Sequence, residues 1–242
     1  MNISKSQLKL ITSLSQKKYR LKHRLFIAEG IKVVQEFLKS SLEIENIFLV
    51  DDLELDIHLD KVVKISETEL KKISNLKSPN KILGVFKIPE EKKIQHKGLV
   101  VALDGINDPG NLGTIIRLCD WFGITQLLCS RDTVDCYNPK VVQSSMGSLT
   151  RVSIIYTDLE NFIQETTLPT FVADMDGANI YQSKLPKEGV LIMGNEANGV
   201  SEKVKKSILN TIAIPRFGQV KETESLNVAT ATAILLSEFR RG

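Results

Sequence analysis

Histidine is scarce in this chain and poorly placed for catalysis. Only His23, His58 and His96 occur, so no histidine lies beyond residue 97 to serve as a general base or to pair with a serine. That excludes a Ser–His hydrolase from the C-terminal stretch and leaves no plausible metal cluster, so no metal is expected. Cysteine is equally sparse. Cys119, Cys129 and Cys136 are an odd set without a Cys-x-x-Cys pair, which reads as buried thiols before any metal or redox role. No apolar run approaches the roughly 18 residues needed to span a bilayer. Residues 1–20 lack the apolar centre of a signal peptide, so a cytoplasmic protein with no membrane partner is expected. A dinucleotide fingerprint is missing too. Gly105, Gly110 and Gly113 are spaced G-x4-G-x2-G, and no Lys-Ser/Thr follows to make a phosphate loop, which disfavours nicotinamide oxidoreductases and NTPases.

What is present suits a globular chain. With 242 residues, 42% hydrophobic and 25% charged, it is long enough to bury a real core. Charge is unevenly spread. Residues 1–97 carry 19 Lys/Arg against 13 Asp/Glu, a net of +6, and residues 98–242 carry 13 against 16, a net of −3. Seven basic residues precede Glu29 without a single acid: Lys5, Lys9, Lys17, Lys18, Arg20, Lys22 and Arg24. Such a run is usually a solvated face. Its functional reading is contact with nucleic-acid phosphates, for which Lys17, Lys18, Arg20, Lys22 and Arg24 are the candidates.

The polar stretch 89–97, which opens on Pro89, reads as a linker between a domain over 1–88 and a second over 98–242. In the first, strands are expected over 25–28, 44–50, 62–65 and 82–88. Helices are expected over 31–38 and, from a Ser66-x-x-Glu69 capping box, to about Leu76. This predicts a small α/β/α unit. In the second, strands are expected over 99–103, 124–129, 152–156, 170–173, 190–193 and 211–214. Helices are expected over 111–122, 138–145, 158–165 and 225–240. Short apolar strands with crossover helices predict a mostly parallel sheet, whose ligands bind beyond the carboxyl ends of the strands.

Three segments at strand ends carry the chemical signal. In the first, Leu103-Asp104-Gly105-Ile106-Asn107-Asp108-Pro109-Gly110-Asn111 leads into a helix that Asn111 is placed to cap, with Arg117 about two turns in. In the second, Met193-Gly194-Asn195-Glu196 follows a buried strand. Gly194 there lets a ligand approach the backbone closely, and Gly199 permits a tight return. In the third, Ile214-Pro215-Arg216-Phe217-Gly218 precedes Ser225-Leu226-Asn227, where Ser225 is placed to cap the last helix and Asn227 to face outward.

In this order and spacing the three segments resemble the signature motifs of the SpoU (TrmH-like) family of RNA ribose methyltransferases, Ser145-Met146-Gly147-Ser148 resembles another of its segments, and the likeness covers roughly residues 98–242. Arg20-x3-Arg24-Leu25-Phe26-Ile27-Ala28-Glu29-Gly30 looks like the start of that family's substrate-binding domain, of ribosomal-protein-like α/β/α fold. The six residues 219–224 make the loop before Ser225 longer than the family usually has. The resemblance implies an α/β chain whose C-terminal domain carries a deep trefoil knot, a homodimer, an RNA substrate and S-adenosyl-L-methionine as cofactor. It implies that Met193, Gly194, Gly199, Ile214 and Leu226 hold the cofactor. It also implies that Asn111, Glu196, Ser225 and Asn227 organise a catalytic site in which Arg117 acts on the 2′-hydroxyl. A guanidinium holds its proton above a pKa of about 12, so Arg117 fits a fixed cation better than a base. Large-subunit ribosomal RNA is the expected target, because a separate front domain accompanies it more often in this family. The rivals are a tRNA ribose methyltransferase and a non-catalytic RNA-binding or ribosome-assembly protein that has kept the fold.

Overall fold

In the computed structural model, described over residues 3–50, 61–218 and 225–241, the basic N-terminal run is helical, which its polar pattern did not suggest. Helix α1 (Lys5–Ser13) starts from a capping box in which Ser4 and Gln7 satisfy each other's backbone N–H, and α2 (Lys17–His23) follows it. Arg24, in left-handed conformation at φ 55, stops α2 and turns the chain into a strand.

The chain divides into two compact units, one of residues 1–90 with 135–150, the other of 91–134 with 151–242. The first holds a mixed four-stranded sheet. Its elements are β1 (Leu25–Glu29), α3 (Ile31–Leu38), β2 (Ile44–Leu49), β3 (Val62–Lys64), α4 (Glu67–Ile73) and β4 (Ile82–Lys87), with strand order β1-β4-β2-β3. Strand β4 is antiparallel to both neighbours, while β2 and β3 run parallel. The strands are apolar on both faces, so each face needs a helical cover. Leu25, Ile27, Leu83 and Val85 face one core with Ile11, Leu70 and Ile73, whereas Phe26, Ala28, Ile82 and Phe86 face another with Val33, Val34 and Phe37. Ser66 and Glu69 form the expected capping box on α4, which ends at Ile73, short of Leu76.

The second unit is built on a six-stranded sheet of order β10-β8-β9-β5-β6-β7. The strands are β5 (Leu99–Asp104), β6 (Gln126–Cys129), β7 (Ser153–Tyr156), β8 (Thr170–Asn179), β9 (Gly189–Gly194) and β10 (Asn210–Ala213), and every pairing among them is parallel. Connecting helices are α5 (Pro109–Trp121), α7 (Leu159–Glu165), α8 (Glu202–Lys205) and α9 (Val228–Arg240). Helix α6 (Pro139–Ser145), capped by Asn138, falls in residues 135–150 of the first unit, where Val142 joins the core of Phe26 and Phe86. Because β5, β9 and β10 run the same way, their carboxyl ends present three loops on one edge of the sheet.

Two expectations need correction. The first-loop helix is capped by Asp108, whose carboxylate accepts from the Asn111 N–H at 2.8 Å, with Pro109 at the first helical position. Asn111 therefore lies inside the first turn, its amide free to reach sideways. The last helix is capped by Asn227, not Ser225. The Asn227 Oδ1 accepts from the N–H groups of Ala229 at 3.0 Å and Thr230 at 3.3 Å. Strand β8 also continues to Asn179, well past the expected end.

Candidate active site

The three strand-end loops are tied together by side chains. Asp104, at the end of β5 and 9% exposed, accepts from the Ser201 N–H at 2.7 Å, and Asn195 donates to the Gly105 carbonyl at 2.7 Å. Those two bonds fix the first loop against the second. Within the second loop, Asn195 and Gly199 exchange backbone hydrogen bonds, and Gly199 takes φ +67, a conformation that favours glycine. This return passes directly over Gly194, where a Cβ would overlap the backbone of Gly199 and Val200. Gly194 is thus required first by the chain's own turn.

A second tie runs across all three loops. Asn227 donates from Nδ2 to Asn111 Oδ1 at 3.0 Å, and Asn111 donates from Nδ2 to Glu196 Oε1 at 2.5 Å. The five expected catalytic side chains therefore divide. Asn111, Glu196 and Asn227 form one chain of hydrogen bonds, and Ser225 lies nearby on the pocket wall. Arg117, exposed on α5 two turns beyond Asn111, has no hydrogen-bond partner among the described residues.

A pocket of about 770 Å³ opens beside this chain of bonds. All five residues expected to hold a cofactor, Met193, Gly194, Gly199, Ile214 and Leu226, line it, as do Glu196 and Ser225. Its apolar wall continues on α9 through Val228, Ala231 and Leu235. Asp174 and Met175, which no local pattern singled out, also line it. They are brought there because the β8–β10 register jumps, with Phe171 and Val172 opposite Asn210 and Thr211 and the next pairs formed by Ala178 and Asn179. Lys205 on α8 pairs with Asp174 at 2.5 Å. That hydrogen bond holds the Asp174 carboxyl below its ordinary pKa and raises that of Lys205.

The candidate phosphate contacts divide. Lys17, Lys18 and Lys22 are exposed. Arg24 is exposed too, but one of its nitrogens donates to the carbonyls of Ile88 and Pro89. Arg20 is a correction. Its side chain is 2% exposed, pairs with Asp135 at 2.6 Å, and donates to the carbonyls of Leu14 and Ser15, so it is committed to the core and withdrawn from the RNA contacts. The three cysteines are buried, and burial pushes the Cys119 thiol up. Among the described residues, no group of three or more His, Cys, Asp or Glu could hold a metal ion, and no helix is long and apolar enough to cross a membrane. The extended loop 219–224 lies outside the described residues.

Known proteins share this plan. The SpoU rRNA methylase family matches residues 98–237, and an MRM3-like substrate binding domain matches residues 5–84. A 23S rRNA (guanosine(2553)-2′-O)-methyltransferase, RlmP of Bacillus subtilis, is 30% identical over 234 residues, covering 94% of this chain and 93% of that protein. A Porphyromonas gingivalis protein assigned to the TrmH family of RNA methyltransferases superposes with a TM-score of 0.87 at 35% identity, over 99% of this chain and 98% of that one. An AdoMet-bound rRNA methyltransferase from Sinorhizobium meliloti gives 0.85 at 28% identity, over 98% and 96%. With both halves matched and the three motif loops joined at one pocket, the chain belongs to the SpoU rRNA methylase family.

Proposed function

We propose that this chain transfers a methyl group from S-adenosylmethionine to a ribose 2′-oxygen of ribosomal RNA, in the large subunit. The observation that carries the reading is the Asn227–Asn111–Glu196 chain of hydrogen bonds, which joins the three motif loops and ends on Glu196 in the lining of the 770 Å³ pocket. The pocket fits the cofactor. Its volume lies in the range of small-molecule sites, about 300–1,000 Å³, and its apolar wall of Leu226, Val228, Ala231 and Leu235 suits an adenine ring. The relative from Bacillus subtilis, alike over nearly its whole length, is a 23S rRNA 2′-O-methyltransferase, which favours ribosomal RNA over tRNA.

The cofactor supplies an electrophilic methyl on a sulfonium. The protein must hold the ribose oxygen in line with it, and positioning of this kind is worth several kcal/mol. Asn111, anchored from both sides, keeps the first loop in register with the other two. Arg117 is a cation carried on α5 that grips the adjacent phosphate and stabilises the developing alkoxide, while phosphate or water takes the proton. Residues 1–88 bind RNA through Lys17, Lys18, Lys22 and Arg24, 89–97 act as the linker, and 98–242 carry out transfer. The same reading includes the trefoil knot in 98–242, a homodimer, and work in the cytoplasm, where its RNA is found.

Labelled cofactor, ribosomal RNA and the whole chain test the reading, with nuclease digestion and mass spectrometry locating the methyl. A 2′-O-methylated nucleotide is expected. No transfer to any RNA, with cofactor bound, favours the non-catalytic reading, and transfer only to tRNA overturns the substrate. Light scattering near the 27.0 kDa monomer mass would remove the homodimer.

A further inference from the structure

Strand β8 makes a detour that its neighbours do not share. Its pairing with β9 ends at Val172–Ile192, and its ladder with β10 resumes only at Ala178, so residues 173–177 of the strand bulge between the paired stretches, and Ala173, Asp174 and Met175 line the pocket. The return is tight. A Cβ on Gly177 would lie 2.5–2.7 Å from the Ile212 backbone, so glycine is needed where β8 rejoins β10. The detour brings Asp174 into the lining of the pocket.

Asp174 is one of two acids in that wall, and the two are engaged differently. Glu196 is committed to Asn111. Asp174 uses Oδ2 for Lys205 at 2.5 Å, and its carboxylate also accepts from the backbone N–H groups of Asp176, a long bond of 3.4 Å to Oδ1, and of Met175. A paired carboxylate and ammonium carry no net charge together. Such a pair is a poor partner for the cationic sulfonium or ammonium of the cofactor. Its remaining lone pairs suit neutral donors, and a vicinal pair of ribose hydroxyls is the neutral donor set that a carboxylate accepts best. The acid is ionised, and so an acceptor, throughout the physiological range, and the bond from Lys205 lowers its pKa further.

We infer that Asp174, oriented by Lys205, is the acceptor for the ribose hydroxyls of the bound cofactor, and that Lys205 is a positioning residue for it. The inference rests on the cofactor assignment above and names the residue that recognises the sugar. A carboxylate placed there rewards a ligand with both hydroxyls over one that has lost a hydroxyl.

Binding calorimetry on the whole chain reads this without turnover, using S-adenosylhomocysteine and its 2′-deoxy and 3′-deoxy forms. The wild type is expected to bind at least one deoxy form about tenfold more weakly, the order expected for a hydrogen bond to a charged acceptor. Asp174→Asn should bind the parent about tenfold more weakly and no longer distinguish it from that deoxy form. Lys205→Met, which retains the carboxylate, should keep the distinction while weakening all three ligands, and its circular dichroism and melting reveal any loss of fold. If all three proteins distinguish the ligands equally, Asp174–Lys205 is a structural pair and the inference fails. Equal wild-type affinity for the three ligands defeats the inference alone, because the cofactor then binds without sugar recognition. No heat for any ligand with folded wild type defeats the cofactor assignment itself, and this inference with it.

Discussion

Both units stack helices on an apolar sheet, yet only one focuses its loops on a site. In the first, only β4 runs against its neighbours, so β1, β2 and β3 share one direction, and the candidate RNA contacts lie on α2, away from the carboxyl ends of those strands. In the second, every pairing is parallel, and the carboxyl ends of β5, β9 and β10 deliver Asn111, Glu196 and Asn227 to one place. A shared strand direction permits loops to converge, and it is the side chains on those loops that make a site of them. The charged groups differ in the same way. The first unit buries its one fully enclosed arginine for structure, while the second leaves Arg117 exposed beside its hydrogen-bonded loops.

The largest test of this contrast is Arg20→Ala. Removing the guanidinium leaves Asp135, 12% exposed, without its partner, and also strands the Leu14 and Ser15 carbonyls. Breaking a buried pair from one side costs about 3–5 kcal/mol, so the melting transition of the first unit should fall sharply. Denaturant unfolding measures it. A loss of RNA affinity with unchanged stability would return Arg20 to the phosphate contacts and undo the contrast.

Arg117→Ala is the counterpart in the second unit. Stability and cofactor affinity should change little, because the side chain is exposed and outside the pocket wall. Single-turnover methyl transfer should drop by roughly 10²–10³, the usual effect of removing one preorganised charge donor. Arg117→Lys should recover little, since an ammonium cannot grip phosphate and hydroxyl with a planar fork. A fully active Arg117→Ala protein removes the residue from the mechanism.

Much of both units was legible in the sequence because local rules and burial agree there. Helix α3 falls on residues 31–38 as expected, and the Ser66–Glu69 box opens α4, since apolar spacing and capping chemistry are local signals. The first two helices were missed because their lysines mask the apolar spacing, although Ser4-x-x-Gln7 was a readable start signal. Arg20 was misread for a different reason. Its burial depends on Asp135, far along the chain, and no window of local sequence contains that pairing. The cap of α9 failed on competition. Ser225 and Asn227 have similar capping strength, and Asn227 is the one that also reaches Asn111 across the loop. Asp174 was invisible because the β8 detour arises from strand register, which sequence alone sets weakly here.

That dual role of Asn227 supplies a smaller test. Asn227→Ala removes both the cap and the link, and should cost about 1 kcal/mol of stability along with much of the transfer rate. Asn227→Asp keeps an oxygen for the Ala229 and Thr230 N–H groups but has no donor for Asn111. It should melt near the wild type, because an anion at a helix N-terminus is favourable, and still transfer slowly. Equal rates for wild type and Asn227→Asp would show that the link between loops does not support catalysis.

The mildest effect is expected from the first unit's exposed lysines. Lys17, Lys18 and Lys22 lie on the surface of α2, and none is among the groups that hold the core. Changing all three to Ala should therefore leave melting unaltered, in direct opposition to Arg20→Ala on the same helix. If they touch RNA phosphates, each neutralised phosphate has released counterion, and the dependence of log affinity on log salt flattens by about 0.7–0.9 per lysine removed. Between about 50 and 200 mM salt, that is roughly a threefold smaller change in affinity for each lysine. The loss should be similar for RNAs of different sequence, because phosphate contacts position the ligand without reading bases. Filter binding across a salt series measures both quantities. An unchanged slope makes the lysines a solvated face, and RNA affinity must then be sought in the second unit, beside Arg117. A loss confined to one RNA sequence would instead mean that α2 reads bases, and that the first unit carries specificity.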